Sequence, residues 1–288
     1  MSRQPDMESK VKRAREGDRA ALEALVADVQ DRIYGLSLRM LYHRQNAEDA
    51  TQEILIKIIT GLAGFRRESA FATWALKIAA NHLRSKRRRR QLRHFTFEGC
   101  EGMILGEAPD PGTFRHFEAE QGLLVEEMRI LCMQGLLQCL DPDHRLAYIL
   151  GAIMDLSGPE AATILAIRPA TFRKRLSRAR ESVRGFLLRH CDLFDTANAC
   201  HCPAQAMAAA ARGQIGAAPA PAARHPAGLE EWADIKAHLA RLDSMAREVA
   251  LMRINQDYRA PERFIQGIQS LLSTGGPLLG QAPARIAP

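Results

Sequence analysis

Cys191, eight intervening residues, then Cys200-His201-Cys202, with His190 just ahead of the first thiol, is the densest group of soft ligands in the chain. Three thiols and the His201 imidazole have the chemistry to hold zinc or copper(I), although the spacing is not that of a zinc finger. Without metal, the same cysteines are either a redox switch or reduced packing residues. All three readings stay open, and nothing else in the chain requires a cofactor. A second chemistry is cationic. Residues 66–93 hold ten Lys or Arg against Glu68 alone, and residues 166–190 hold eight against Glu181 alone. Residues 96–127 reverse the sign, with eight acids against Arg115. Two basic islands joined by an acidic connector suit contact with phosphate backbones, where neutralised charges release counterions. No Walker-type phosphate loop, nucleophile elbow or HExxH pair is present, so no catalytic residue is nominated and the chain is read as a non-enzyme.

The elements that must position these groups are helical. Asp18 caps a helix whose Leu22, Leu25, Val26, Val29, Ile33, Leu36 and Met40 recur at three and four, one stripe facing a core. The segment NAEDATQEILIKIITGL follows, with Asn46 as its cap candidate, Glu48 and Asp49 in its first turn and Gly61 as its stop. Ile54, Leu55, Ile56, Ile58 and Ile59 nearly encircle it. One face serves the domain core, and the remainder needs a further helix or a second protein. Ser69 then opens a helix with Phe71, Ala75, Ile78 and His82 on one face and Trp74 beside them, running into a tract with seven Lys or Arg among residues 84–93. Phe65, Phe71 and Trp74 beside guanidinium groups offer stacking and phosphate partners together, as single-stranded DNA recognition requires. The competing reading is three core aromatics and a solvated basic tail.

Glycines and prolines break up residues 96–127, which read as a flexible acidic linker. Helical pattern resumes with Met128, Leu131, Cys132, Leu136 and Cys139 on one face, the two cysteines being small buried hydrophobes. A helix over Asp143–Met154 leads to Ser157-Gly158-Pro159-Glu160, a capping box with proline at an early helical position. A short helix, a break at Ile167-Arg168-Pro169 and a longer helix from Thr171 have the rhythm of a helix-turn-helix. Its second helix exposes Arg173, Lys174, Ser177, Arg178 and Arg180 while Phe172, Leu176, Ala179 and Val183 face inward. Exposed arginines on such a helix fit the major groove, where they bond guanine edges or phosphates.

Length and composition agree with this organisation. The 288 residues suffice for about two domains, and 47% apolar with 25% charged residues is ordinary for a globular chain. No run approaches a spanning helix and the N-terminal residues lack a signal-peptide core, so the expectation is a cytoplasmic protein without membrane insertion.

In this order the segments resemble the extracytoplasmic function (ECF) sigma factors of bacteria, over about residues 10–190. NAEDATQEILIKI is similar to the helix that such proteins dock on the clamp of RNA polymerase, which implies Asp49, Gln52, Glu53 and Ile56 as polymerase contacts. FRRESAFATWALKIAANHLRSKRRRR resembles the segment that captures a melted −10 element. That implies a base-holding loop around Arg66, Arg67 and Ser69 with Phe71 nearby, Asn81 as the reader, and Trp74, Arg84, Lys86 and Arg87 along the strand. DLSGPEAATILAIRPATFRKRLSRARE resembles the −35-reading helix-turn-helix and implies Arg173, Lys174, Ser177 and Arg178 as its DNA contacts. Ala170 stands where the family usually has Gly, Gly158-Pro159 replaces a bulkier polar pair, and Pro169 is one residue from the usual turn pattern.

The resemblance implies an all-α protein: a clamp-binding and −10 domain at 10–95, the flexible linker at 96–127 and a −35 domain at 128–190. Core RNA polymerase and promoter DNA are the implied partners, with an anti-sigma factor as a further one. Residues 191–288 form an extension with nine basic and nine acidic residues, which gives no electrostatic case for DNA. It comprises the Cys/His cluster at 190–202, an Ala/Pro linker at 203–227 with twelve alanines and a brief helix over Ala206–Arg212, and a helical pair at 228–274. In that pair Ile235, Leu239, Leu242, Ala246 and Val249 hold one helical register and Pro261 starts a second helix. Two such helices bury too little alone, so they pack on the preceding domains or on a partner and regulate the chain. Two rivals remain at this level: a helix-turn-helix regulator that never joins polymerase, and a metal- or redox-responsive sensor built on Cys191, Cys200 and Cys202.

Overall fold

The computed structural model describes residues 4–89, 95–106, 119–216, 232–253, 258–261, 264 and 266–267. Among them every regular element is helical, apart from an isolated bridge between Cys191 and Cys200, so the fold is all-α. In chain order the α-helices are α1 (Gln4–Arg15), α2 (Arg19–Leu41), α3 (Arg44–Gly61), α4 (Phe71–Arg89), α5 (Phe97–Gly106), α6 (Ala119–Cys139) and α7 (Pro142–Tyr148). Then follow α8 (Gly158–Leu165), α9 (Pro169–His190), α10 (Cys202–Ala211), α11 (Trp232–Ala240) and α12 (Ser244–Arg253). The chain forms two units: residues 1–90 with 159–168 and 259–288, and residues 91–158 with 169–258.

The core of the first unit is α2. Asp18 Oδ1 accepts the Ala21 N–H at 3.0 Å, the expected cap, which contributes about 1 kcal/mol. All seven residues of its predicted stripe are buried. Ahead of it, α1 was not foreseen. Its Val11 and Ala14 are buried, and Gly17, at φ 95°, makes the turn into α2 that a side chain would strain. Between α2 and α3 the chain needs only Tyr42 and His43, with Tyr42 at φ 67° donating its N–H to Leu38 O. That tight turn starts α3 at Arg44, with His43 at the cap instead of Asn46. Of the five apolar residues encircling α3, Ile54, Leu55, Ile58 and Ile59 are buried and only Ile56 remains exposed, at 40%.

The second unit departs further from expectation. Residues 97–106, read as flexible linker, form α5. The Thr96 hydroxyl accepts the Gly99 N–H at 3.0 Å, and the Phe97 ring packs on Phe186 with centroids 5.6 Å apart. This anchoring offsets the roughly 1 kcal/mol that each interior glycine costs a helix. The last residues of the expected linker belong to α6, while 107–118 lie outside the described residues. α6 is buried on nearly every side from Met133 to Gln138, not along one face. The fully buried Arg145 caps its end, donating to Gln138 O at 2.6 Å and Leu140 O at 2.8 Å.

The helix expected over Asp143–Met154 is split into α7 and a π-helical turn, Ile149–Ile153, closed by Met154 N–H to Ile149 O at 2.8 Å. Gly151 in that turn has no room for a side chain: a Cβ would stand 2.8 Å from Leu176 Cδ2 and 2.9 Å from Phe172 Cζ. Within the Ala-rich linker the brief helix expected over Ala206–Arg212 is present and starts earlier, as α10. Its Ala206 and Ala209 pack with Val125 of α6 and with Ile215, small side chains permitting close approach of the two helices. Residues 217–227 lie outside the described residues. The single long helix expected after residue 228 is two, because Asp243 accepts the Met245 and Ala246 N–H groups at 2.8 and 2.9 Å and starts α12 anew. Most of the helix expected from Pro261 lies outside the described residues.

Candidate nucleic-acid interface

In the first unit two buried rings bracket a short displayed loop. Phe65 and Phe71 are 5% and 3% exposed, and with Trp74 they form an aromatic triad whose centroids lie 5.2–5.8 Å apart. For Phe65 and Phe71 the core reading is therefore the right one, and Phe71 supports the loop instead of offering a stacking face. Trp74 is half-buried. Between the rings, Arg66, Arg67 and Glu68 are exposed and Ser69 half-buried, with Arg67 in the left-handed region at φ 60°. α4 starts at Phe71, and the Ser69 hydroxyl bonds weakly to Ala70 O at 3.4 Å.

Along α4, Trp74, Lys77, Asn81 and Arg84 follow at helical spacing. Lys77 and Asn81 are exposed, and Arg84 donates to Asn81 Oδ1 at 3.0 Å. Lys77 was passed over in the sequence, although its spacing from Asn81 was the available signal. The side chains of Lys86 and Arg87 lie outside the described residues. On α3, Asp49, Gln52, Glu53 and Ile56 share one face by their three- and four-residue spacing; Asp49 is half-buried and the others exposed. Glu53 is tied to α4, its Oε2 standing 3.1 Å from His82 Nε2, while His82 Nδ1 is 2.7 Å from Lys57 Nζ.

α8 ends in a tight turn at Ala166, φ 53°, where Ala166 N–H reaches Thr163 O and Ile167 N–H reaches Ala162 O. This double closure satisfies the last carbonyls of a helix and stops it abruptly. α9 begins three residues later. Arg173, Lys174, Ser177 and Arg178 are all exposed, while Phe172, Ala179 and Val183 are buried as expected. Two neighbouring cations are turned away: Arg175 pairs with Asp143 at 2.8 Å, and Arg180, expected on the exposed face, is half-buried beside Glu248. The exposed stripe is thus narrower than the sequence pattern, and each of its members is a polar donor.

Around the cysteine cluster the backbone closes on itself. Cys200 N–H donates to His190 O at 3.0 Å and Asp192 N–H to Cys200 O at 3.1 Å, closing the loop between Cys191 and Cys200. His201 turns to Asp192, its Nδ1 3.2 Å from Oδ2. Among the described residues no three Cys, His, Asp or Glu side chains form a group that could hold a metal ion, so Cys191, Cys200, His201 and Cys202 are not assembled as a ligand set. Burial pushes the Cys191 thiol up to about 12 and Cys200 to about 11, and raises Cys202 and Cys132 further. Cys132, on α6, shares their electrostatic neighbourhood, a proximity with no signal in the sequence.

Comparison with known proteins identifies the two halves. A family model described as Sigma-70 region 2 matches residues 25–93, and one described as Sigma-70, region 4 matches residues 130–183. RNA polymerase sigma-H factor of Pseudomonas aeruginosa is 33% identical over 183 residues, which span 60% of this chain and 89% of that protein. The ECF RNA polymerase sigma-E factor of Haemophilus influenzae is 30% identical over 188 residues, 64% of this chain and 96% of that one.

The chain belongs to the ECF sigma factors. It is a promoter-recognising RNA polymerase sigma factor, a class that is not enzymatic and that binds core polymerase and promoter DNA. The reading as a regulator acting apart from polymerase is set aside by these relatives. Among solved structures, the sigma factor RpoE in complex with the anti-sigma factor NepR from Bartonella quintana is similar at a TM-score of 0.39 and 21% identity, covering 56% of this chain and 93% of that one. Within this sigma factor, the exposed residues of α3, the 66–69 loop and α4 fall inside the region 2 match, and the α9 stripe inside the region 4 match. Residues 191–288 lie outside both. No helix among the described residues is long and apolar enough to cross a membrane.

Proposed function

We propose that the sigma factor divides its work among three faces. Asp49, Gln52, Glu53 and Ile56 on α3 contact polymerase. The loop of Arg66, Arg67 and Ser69, with Trp74, Asn81, Arg84, Lys86 and Arg87, takes the melted −10 strand. Arg173, Lys174, Ser177 and Arg178 meet the −35 duplex. The observation that supports this most directly is exposure: every polar residue named whose side chain is described is exposed or half-exposed, although the sequence around each is rich in buried positions. Phe71 drops from direct contact to support of the loop. Unstacking a base costs a few kcal/mol, which a pocket accepting the flipped base offsets.

The extension is proposed as a regulatory brace, in place of or beside a separate anti-sigma factor. In the second unit, Tyr148 donates its hydroxyl to Glu248 of α12 at 2.5 Å, and Arg253 donates to Ala152 O at 2.8 Å. In the first unit, Phe264 meets Tyr34 edge-on at 5.8 Å and Ala260 N–H donates to Asp31 Oδ1 at 2.9 Å. Such contacts let the extension act through the packing of each unit. In vitro transcription with core polymerase tests both parts. Asn81→Ala and Arg173→Ala each lower promoter-directed output by tenfold or more in this reading, and Phe264→Ser changes it without touching either DNA face. Wild-type output from the first two variants overturns the DNA assignment. Unchanged output from Phe264→Ser and from a chain ending at residue 190 overturns the brace.

A further inference from the structure

Two cysteines outside the cluster at 191–202 stand apart from it in chemistry. Cys100 lies in the first turns of α5, and Cys139 is the last residue of α6. Their sulfurs are 3.6 Å apart. Both are half-buried, so a small oxidant reaches them, whereas Cys191 and Cys200 are buried. A disulfide needs its sulfurs at about 2.05 Å, leaving about 1.5 Å to close, within reach of side-chain rotation. The helix carrying Cys100 is already anchored on α9: Phe97 packs on Phe186, and His190 Nε2 stands 3.7 Å from Glu101 of α5.

The two thiols also differ from each other. The hydrogen bond between the two sulfurs, in which either can donate, lowers the Cys100 thiol from its ordinary range and, with burial, raises Cys139, whose thiol also reaches Gly135 O at 3.5 Å. These directions make Cys100 the sulfur favoured to attack an oxidant, with the Cys139 thiol in contact with it. Oxidation of cysteines follows thiolate character and exposure, and a sulfenic acid with a thiol at contact distance condenses to a disulfide.

We propose that Cys100 and Cys139 form a peroxide-responsive disulfide that staples α5, in the connector between the regions 2 and 4, to the end of α6. Hydrogen peroxide is the oxidant. The Cys100 thiolate attacks one peroxide oxygen, the O–O bond breaks, and the Cys100 sulfenic acid forms with release of hydroxide, which takes up a proton to become water. The Cys139 sulfur then displaces the sulfenic oxygen, its proton leaving in the second water. Two thiols are oxidised by two electrons and one peroxide is reduced. The bond ties α5 to the end of α6, 39 positions away in sequence, and its two cysteines belong to neither proposed DNA-reading face.

The test uses the full-length chain and needs no polymerase for its first readout, so its failure is distinct from failure of the promoter assignments. The reduced chain is treated with hydrogen peroxide, alkylated and digested. The expected result is a Cys100–Cys139 cross-linked peptide, a 2 Da loss in intact mass and recovery by dithiothreitol. Cys139→Ser stops at a Cys100 sulfenic acid that dimedone traps, and Cys100→Ser gives neither product. Holoenzyme transcription with wild-type chain then changes at least twofold on oxidation and reverts with dithiothreitol, while Cys100→Ser output does not respond. Peptides in which Cys100 and Cys139 stay reduced while Cys191, Cys200 or Cys202 oxidise would overturn the site. A cross-link with no change in transcription overturns its regulatory role.

Discussion

The narrowed stripe on α9 makes a quantitative prediction about how the sigma factor holds the −35 duplex. Three cations, Arg173, Lys174 and Arg178, are exposed on it, while Arg175, between them in sequence, is held by Asp143. Each cation that neutralises a phosphate contributes about 0.9 to the slope of log affinity against log salt. Over a fourfold change in salt that is about 3.5-fold per residue, and about 40-fold if all three meet phosphates. Holoenzyme binding to a fluorescent promoter duplex, measured by anisotropy from 50 to 200 mM salt, roughly the range over which such slopes are read, resolves these figures. The triple alanine variant is expected to lose a slope of about 2.7. A residue that instead bonds a guanine edge leaves the slope in place, costs about 1–3 kcal/mol and relaxes the preference at one base pair. Arg175→Ala is the internal control. Its half-buried ion pair is worth about 1 kcal/mol or less, and its removal leaves the slope unchanged. If Arg175→Ala lowers the slope as much as Arg178→Ala, or if the triple variant keeps the full slope, α9 does not present the face described.

Three further outcomes follow from packing and burial. Gly151→Ala forces a methyl against Leu176 and Phe172, destabilises the second unit by about 1–3 kcal/mol and lowers its thermal midpoint; an unchanged midpoint refutes the close approach. Glu248, 1% exposed, has its pKa raised by burial, partly opposed by the Tyr148 hydroxyl and by Arg180 and Arg184. The folded chain therefore holds that proton more tightly than the unfolded one, so stability is fullest below the ordinary glutamate range and falls as pH rises through the raised value. Denaturant midpoints across that window should fall in the wild type and flatten in Glu248→Gln. Ile56→Asp on the exposed face of α3 is expected to weaken core polymerase binding by about 1–2 kcal/mol, roughly five- to thirtyfold in Kd, with no loss of melting temperature.

Much of the first unit was legible because its helices obey local rules. The α2 stripe is regular, Asp18 is an unambiguous cap, and the expected −10 and −35 residues carry polar side chains at positions that must face outward if their apolar neighbours face inward. What was not legible depends on long-range contact. Nothing local says that Phe65 and Phe71 close on Trp74, that Arg175 turns to Asp143, or that Gly99 and Gly102 sit in a helix because Phe97 finds Phe186. The Ala-rich stretch after Cys202 was legible only in part, for a related reason. Composition typical of a linker is equally what a helix needs to lie close against a neighbour, and only α6 decides between them. The cysteines show the same limit, since residue spacing places Cys191, Cys200 and Cys202 together in the chain but does not reveal that Asp192 claims His201.

The extension carries the strongest constraint on how regulation here can be tested. Its residues up to Tyr258 belong to the second unit and those from Arg259 onward to the first, so it supplies packing to both. Tyr148 and Gln134 are buried, and their partners Glu248 and Tyr258 come from the extension. Deleting residues 191–288 therefore exposes buried polar groups of the −35 half, and loss of activity in such a chain reports stability as much as control. Point changes separate the two. Phe264→Ser removes one ring from Tyr34 in the first unit and leaves Glu248, Tyr258 and the α9 stripe as they are. If that single change alters promoter output while the second unit melts as before, the extension acts on the conformation of the sigma factor; if output follows melting temperature across a series of such variants, it is a structural brace alone.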